Sequence, residues 1–368
     1  MHLQFLHLTQ FKNYIGARFD LSPQVNCFVG NNGAGKTNLL DAVYYLCFTK
    51  SFFNTIDQQN ILHEYDFFTI EGDFMMGGID EKVRIAVQRS EKKSVKVNNN
   101  EHRKFSDHIG LYPAVIITPN DTMLIHERSE ERRKFLEGMI AQTDKAYLND
   151  LMMYNRVLEN RNKQLRLFAE MNFFDSTLLE SLNEQLICFG KSIYEKRKIF
   201  LDSFIPVFKK YYQDISSSHE TVDLIYESPL HENNFEILLD KNENADLAAQ
   251  RTTKGIHKDE LEFLISNFPL KKFGSQGQQK SFIISLKLAQ YEYLKEKTGI
   301  KPLLLLDDIF EKLDEQRLNK LLAMIAHDMF GQIFITDTHF DRLKNVFDKM
   351  KTVDVKYFSV ENGLINEI

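Results

Sequence analysis

Gly30-Asn31-Asn32-Gly33-Ala34-Gly35-Lys36-Thr37 has the residue types and the spacing needed to bind a phosphate chain. The pattern is G-x-x-x-x-G-K-T. The apolar run Val25-Asn26-Cys27-Phe28-Val29 precedes it, and a helical pattern over residues 38–46 follows. Glycine takes positive φ at little cost, so the backbone can wrap closely around phosphate oxygens. The N–H groups thus presented, with the helix N-terminus, make an anion site. Lys36 is placed to reach the β- and γ-phosphates, and the Thr37 hydroxyl to help hold Mg²⁺. Gly30, Asn31, Asn32, Gly33, Ala34, Gly35 and Asn38 supply the rest of the cradle. A merely structural glycine turn is the alternative, and the flanking strand and helix count against it.

Two further stretches complete a site. The apolar run Pro302-Leu303-Leu304-Leu305-Leu306 delivers Asp307-Asp308 at a strand end, where open α/β sheets bind ligands. Asp307 is assigned to the metal shell and Asp308 to polarising the attacking water. Phe273-Gly274-Ser275-Gln276-Gly277-Gln278-Gln279-Lys280 opens an apolar helix over 282–294, and a serine, a glycine backbone and a helix start again suit an anion. One triphosphate does not need two such sites. The simplest use of Ser275, Gln276, Gly277 and Gln278 is to cap the γ-phosphate of ATP held by a second copy, so that ATP joins a homodimer and hydrolysis releases it. Lys12 lies near the loop in sequence and is a candidate second phosphate contact, against a solvated surface lysine.

The elements that must carry these residues are legible in outline. At 368 residues the chain can form two domains, or one with a large insertion, and 43% hydrophobic content with only 7 Pro and 16 Gly builds a packed core. A net charge of −6 excludes a bulk polycation, so any nucleic-acid contact must come from local basic patches. Cys27, Cys47 and Cys188 show neither disulfide pairing nor metal spacing, which suits a reducing cytosol. Met1-His2-Leu3-Gln4 opens no basic-then-apolar leader, and no 18-residue apolar run occurs, so the expectation is a cytoplasmic protein without a membrane partner. Residues 67–97 alternate as an antiparallel meander, and 112–118 read as a buried strand. Two long periodic helices follow over 144–171 and 176–215. They are too long for a compact α/β core and predict an inserted helical arm. Lys191, Lys196, Arg197 and Lys198 read as its solvated face. Strands over 302–306 and 332–336 return to the sheet, which is thus built from both ends of the sequence.

Ser275-Gln276-Gly277-Gln278-Gln279 resembles the signature motif of ABC-type ATPases. More narrowly, the chain resembles the RecF family, SMC-like recombination mediators of bacteria. Phe11-Lys12-Asn13-Tyr14 resembles the family's Phe-Arg-Asn-Tyr, and the P-loop continues as Asn38-Leu39-Leu40-Asp41-Ala42. Pro119-Asn120-Asp121 with Glu131-Arg132-Arg133-Lys134-Phe135-Leu136, and Gly255-Ile256-His257-Lys258-Asp259, resemble further family segments in the family's order. Ile256 stands where the family has Pro, Asn120 where it has Glu, and Glu311-Lys312-Leu313-Asp314 where it has Ser-Glu-Leu-Asp.

The resemblance implies an α/β fold. It is an ABC-type (SMC-like) P-loop ATPase head, residues 1–128 and 250–368, with an antiparallel meander and an inserted α-helical arm, residues 129–249. It implies a weak, DNA-dependent ATPase that binds duplex DNA at gaps and single-strand junctions as an ATP-induced homodimer. RecR would be a partner, with RecO and RecA downstream. It also makes His339 a candidate switch histidine and sets the Q-loop near Asn120-Asp121. A small-molecule kinase would leave Ser275-Gln276-Gly277-Gln278 without a task. A transporter-type ATP-binding subunit would need a membrane partner.

Overall fold

The structure is a computed structural model that describes residues 1–216, 220–309, 315–326, 329–349 and 353–368. Glu311-Lys312-Leu313-Asp314 lies outside the described residues. The chain opens with β1 (His2–Phe11), β2 (Tyr14–Asp20), β3 (Val25–Val29) and α1 (Lys36–Phe48). The meander is β4 (Phe67–Met76), β5 (Ile79–Gln88), β6 (Ser94–Val97) and β7 (Asn100–Glu101), and β8 (Ala114–Ile117) follows. Next come α2 (Met123–His126), α3 (Ser129–Ala141), α4 (Lys145–Met171), α5 (Ser176–Ser216), β9 (Val222–Glu227) and α6 (Phe235–Ala249). Then β10 (Glu260–Ile265), β11 (Phe268–Pro269), α7 (Leu270–Phe273) and α8 (Gln276–Thr298) lead to β12 (Leu303–Leu306). The remaining elements are α9 (Glu315–Ala326), β13 (Ile333–Asp337), α10 (Phe340–Phe347), β14 (Val355–Glu361) and β15 (Leu364–Glu367).

Two compact units result. The first comprises Met1–Asp121, Asp214–Ser217 and Lys280–Ile368. It holds an antiparallel sheet in the order β2-β1-β4-β5-β6-β7 and a mixed sheet in the order β15-β14-β3-β13-β12-β8. In the second sheet β3 lies between β13 and β14, parallel to both, so the strand before the P-loop takes its neighbours from residues far along the chain. Gln332 adds to this closure: its side chain accepts from Leu3 N–H at 2.7 Å and donates to Leu3 O at 2.7 Å. Phe28, Phe334 and Phe358 stack across these three strands. Helix α1 is buried almost all round, through Leu39, Leu40, Ala42, Val43, Tyr45, Leu46, Cys47 and Phe48, and belongs to one core with Leu6, Phe68, Ile70, Leu305 and Phe334. That burial holds the start of α1, and with it Lys36 and Thr37, at a fixed place over the sheet.

The second unit comprises Thr122–Gln213 and Ser218–Gln279. Its long helices α4 and α5 match the sequence reading closely, but residues 250–279, expected in the head, belong here. The cause is pairing: β10 runs antiparallel to β9 from Glu260↔Glu227 to Ile265↔Val222. The expected solvated face is also corrected at Arg197, which is completely buried. Its guanidinium donates to Asp259 Oδ2 at 2.6 Å, Ile256 O at 3.0 Å, Glu137 Oε1 at 2.7 Å and Tyr147 Oη at 3.2 Å, and the Tyr226 hydroxyl donates to the same Asp259 oxygen. Burial pushes the Asp259 carboxyl up, and Arg197 opposes that rise. Lys191, Lys196 and Lys198 pair with Glu236, Asp144 and Glu195. Breaking a buried pair strands a charge, so Arg197→Leu is expected to destabilise the second unit by about 3–5 kcal/mol. Urea unfolding followed by helix signal would measure this; a shift under about 1 kcal/mol would mean that Arg197 is solvated in solution. Among the described residues no helix is long and apolar enough to cross a membrane.

Candidate nucleotide site

The loop between β3 and α1 adopts the conformation its composition predicts. Gly33 and Gly35 have φ of 81° and 117°. Gly35 is also a close approach, since a Cβ there would fall 2.4 Å from Asn13 Nδ2 and 2.9 Å from Tyr14 Oη. Those two side chains set the loop's peptide planes. Asn13 Nδ2 donates to Ala34 O at 3.1 Å, and Tyr14 Oη donates to Gly35 O at 2.9 Å. Asn38 Nδ2 donates to Asn13 Oδ1 at 2.7 Å, and Gly363 N–H reaches Ala34 O at 3.4 Å from the β14–β15 turn. Carbonyl and N–H point in opposite directions in a trans peptide, so fixing the Ala34 and Gly35 carbonyls also fixes the N–H groups of Gly35 and Lys36. Asn13 and Tyr14 have no assigned role in the sequence alone; their signal is an Asn-Tyr pair at the β1–β2 turn, shortly before the loop strand. Tyr14→Phe is expected to weaken ATP binding about three- to tenfold while moving thermal stability little, because one hydrogen bond contributes about 1 kcal/mol. Calorimetric titration of the variant with ATP tests this; an unchanged affinity would refute it.

Lys36 is buried and donates from Nζ to Gly30 O at 2.7 Å and to Asn31 O at 3.1 Å, folded back over the loop it ends. Asn31 and Asn32 are exposed at the loop's tip. Thr37 and Asp307, distant in sequence, are brought together: Thr37 Oγ1 donates to the Asp307 carboxylate at 3.0 and 3.1 Å. Thr336, which sequence reading did not assign, organises both acids. Its hydroxyl donates to Asp307 Oδ1 at 2.8 Å and accepts the Asp308 N–H at 2.9 Å. Burial raises the Asp307 pKa, the Thr336 and Thr37 hydroxyls oppose the rise, and the neighbouring Asp308 charge adds to it. Asp308 has φ of 48°, unusual for a residue with a side chain, and its Oδ1 is buried without a hydrogen-bond partner.

One expectation turns out differently, and two further residues take defined places. Lys12 is engaged by Asp41 at 2.6 Å, not aimed at the loop. Asp41 is fully buried and also accepts from Ser51 Oγ at 2.6 Å and Phe52 N–H at 2.7 Å, so the pair ties the β1–β2 turn to α1. Asp121, expected near the Q-loop, accepts Thr118 N–H at 2.6 Å and pairs with Lys287 of α8 at 2.7 Å, both side chains buried. His339 is exposed; β13 extends one residue further than expected, to Asp337, whose Oδ1 takes the His339 N–H at 2.8 Å ahead of α10.

The second anion stretch lies in the other unit and is described by itself. Ser275 and Gln278 form a reciprocal capping box: Gln278 N–H donates to Ser275 Oγ at 3.3 Å, and Ser275 N–H to Gln278 Oε1 at 2.6 Å. Gln278 Nε2 donates to Glu220 at 2.6 Å, and Gln279 bridges Gly274 O and His126. Ser275 and Gln276 stay exposed, Gly277 is half-buried, and the first-turn N–H groups of Gln276 and Gly277 precede the helix's own bonding.

An antiparallel sheet joined through one core to a mixed, mainly parallel sheet with a P-loop, and a strand-end acid bonded to the P-loop threonine, define the head of an ABC-type, SMC-like ATPase. The model of the RecF/RecN/SMC N terminal domain matches residues 2–363, and the chain belongs to that family. Within it, the chain is 50% identical over 346 residues to the DNA replication and repair protein RecF of Flavobacterium johnsoniae, covering 94% of this chain and 96% of that one. It is 41% identical to the protein of the same name in Cytophaga hutchinsonii, covering 100% and 97%. It superposes on a structure described as the recombination mediator protein RecF-ATP in the RecFOR pathway with a TM-score of 0.90 at 28% identity, covering 100% of this chain and 97% of that chain. A Pyrococcus furiosus Smc head domain shares the fold, with a TM-score of 0.58 at 16% identity over 100% of this chain and 96% of that one.

Proposed function

We propose that this chain is an ATP-dependent DNA-binding protein of recombinational repair and replication, acting at gaps and single-strand junctions as an ATP-induced homodimer. The observation that carries the reading is the Thr37–Asp307 contact beneath a loop whose N–H groups are fixed by Asn13, Tyr14 and Gly363. A hydroxyl and a carboxylate are what Mg²⁺ takes from protein when phosphates and water supply its other oxygens, so the donor set fits that ion. Thr37 and Asp307 would hold it, and when bound it neutralises phosphate charge.

The chain's own residues do the remaining work. Gly30 to Asn38 line the triphosphate, and Lys36 turns from the Gly30 and Asn31 carbonyls to the β- and γ-oxygens. Asp308 orients a water and accepts its proton as the water oxygen attacks the γ-phosphorus; the bond to the β,γ-bridging oxygen breaks and ADP leaves with the electron pair. Ser275, Gln276, Gly277 and Gln278 of a second copy cap the γ-phosphate, with the exposed His339 a further candidate at that end. Hydrolysis is slow and serves as a release switch. RecR, with RecO and RecA downstream, would be the protein partners, as the RecFOR-pathway relative suggests, in the cytoplasm. Light scattering with and without ATP and a gapped duplex tests the whole reading. Monomer mass alone, doubled mass with ATP and a further shift with DNA are expected; monomer mass at saturating ATP would overturn it.

A further inference from the structure

The segment Gly255–Asp259 and the residues just before it have no part in the nucleotide chemistry, yet they are held with unusual care. Thr252 N–H and Oγ1 both donate to Asn162 Oδ1, at 2.7 and 2.8 Å. Thr253 N–H and Oγ1 both donate to Asp246 Oδ1, at 2.8 and 2.6 Å, and the fully buried Arg161 engages the other Asp246 oxygen at 2.8 Å. His257 bonds through Nδ1 to Tyr154 Oη at 2.8 Å and through Nε2 to Thr252 O at 3.1 Å. Gly255 turns at φ of 134°, where a Cβ would lie 2.7 Å from Tyr154 Oη and 2.9 Å from Phe235 Cζ, so the turn demands glycine.

What this scaffold presents outward is positive. Arg251, Lys254 and Lys258 are all exposed, and their side chains form no ion pair or hydrogen bond with any described residue. Arg166, likewise exposed and unpaired, stands one turn beyond Asn162 on α4, the residue that holds Thr252. Of the acids nearby in sequence, Asp246, Asp259 and Glu260 are spent on Arg161, Arg197 and Arg132. Partial burial and then the charges of Arg251 and Arg133 hold the Lys258 pKa below its ordinary value. In a chain of net charge −6, uncompensated cations set together on a fixed loop oppose folding through mutual repulsion, a cost that an arriving polyanion reverses.

We propose that Arg251, Lys254 and Lys258, with Arg166 beside them, form a preorganised contact for the phosphodiester backbone of DNA. The inference rests on the DNA-binding reading above and adds where the strand is held. The cations sit as separate points along one loop and one helix face, which suits a repeating row of phosphates, and they carry no sequence-reading geometry.

The test is the triple variant R251Q/K254Q/K258Q, compared with wild type on a fluorescent gapped duplex with ATP between about 50 and 200 mM salt. Binding is expected to weaken about tenfold or more near 100 mM salt, with the slope of log affinity against log salt shallower by roughly 3, near one per contact. ATP affinity and ATP-driven doubling of mass are expected to stay as in wild type; because all three side chains are exposed and unpaired, the melting temperature should hold as well. Equal affinity and slope in variant and wild type would overturn the contact while leaving the DNA-binding reading intact. A variant that binds DNA normally but loses its doubled mass would overturn it in favour of a protein-facing loop. Wild type that binds no DNA would overturn the parent reading and this inference with it.

Discussion

Ser275→Arg is expected to bind ATP with near wild-type affinity, to remain monomeric at saturating ATP, and to lose at least a hundredfold in hydrolysis rate, about 3 kcal/mol of barrier. Ser275 is exposed, and its folding role is the capping box with Gln278, whose loss costs about 1 kcal/mol. The unit therefore survives the change. On the proposed reading the P-loop of one copy captures ATP with its own residues, and Ser275 acts on the ATP of the other copy. On that reading, an arginine side chain at this position would fill the space proposed for the γ-phosphate of the second copy's ATP. Ser275→Thr keeps the cap hydroxyl and should pair normally. Light scattering with ATP, alongside calorimetric ATP affinity for the same preparation, separates the two effects. A Ser275→Arg protein that doubles its mass with ATP would show that no ATP is shared between copies.

Lys36→Arg is expected to abolish measurable ATP binding, a loss of at least a hundredfold, and with it all ATP-driven pairing. The Lys36 ammonium lies in a confined place, 5% exposed, donating to the Gly30 and Asn31 carbonyls. A compact point charge fits there and can swing to phosphate oxygens; a planar guanidinium fork is wider and cannot reproduce the same contacts. The fold should hold, because α1 is fixed by its apolar residues and not by Lys36. Calorimetry with Mg-ATP and a thermal melt on the same variant give the answer. Wild-type affinity in Lys36→Arg would remove this lysine from the site.

Local pattern made much of this molecule readable. The glycine loop needed only its own residues and a strand and helix on either side, and the 3.6-residue period of α4 and α5 carried their bounds to within a residue or so. What escaped was decided by partners far along the chain. Arg197 reads as one more charge on a polar helix face until Asp259 and Glu137 fold around it. Lys12 reads as free until Asp41, buried on α1, claims it. Residues 250–279 read as head because strands usually return to a sheet, whereas β10 had β9 to pair with. Thr336 gave no signal at all, because a threonine inside an apolar strand is common and its role depends on where Asp307 and Asp308 arrive.

The placement of β3 between β13 and β14 has a consequence for how the protein is made. On the ribosome, the phosphate loop emerges early but has no neighbours on either side of its strand until residues near 333 and 355 have followed, and Gln332 is 329 positions from the Leu3 it clasps. Such distant closure is slow. A nascent chain therefore holds the strand that carries the glycine loop without sheet partners for most of its synthesis, and competence to take up ATP should switch on late and abruptly, once β13 and β14 dock.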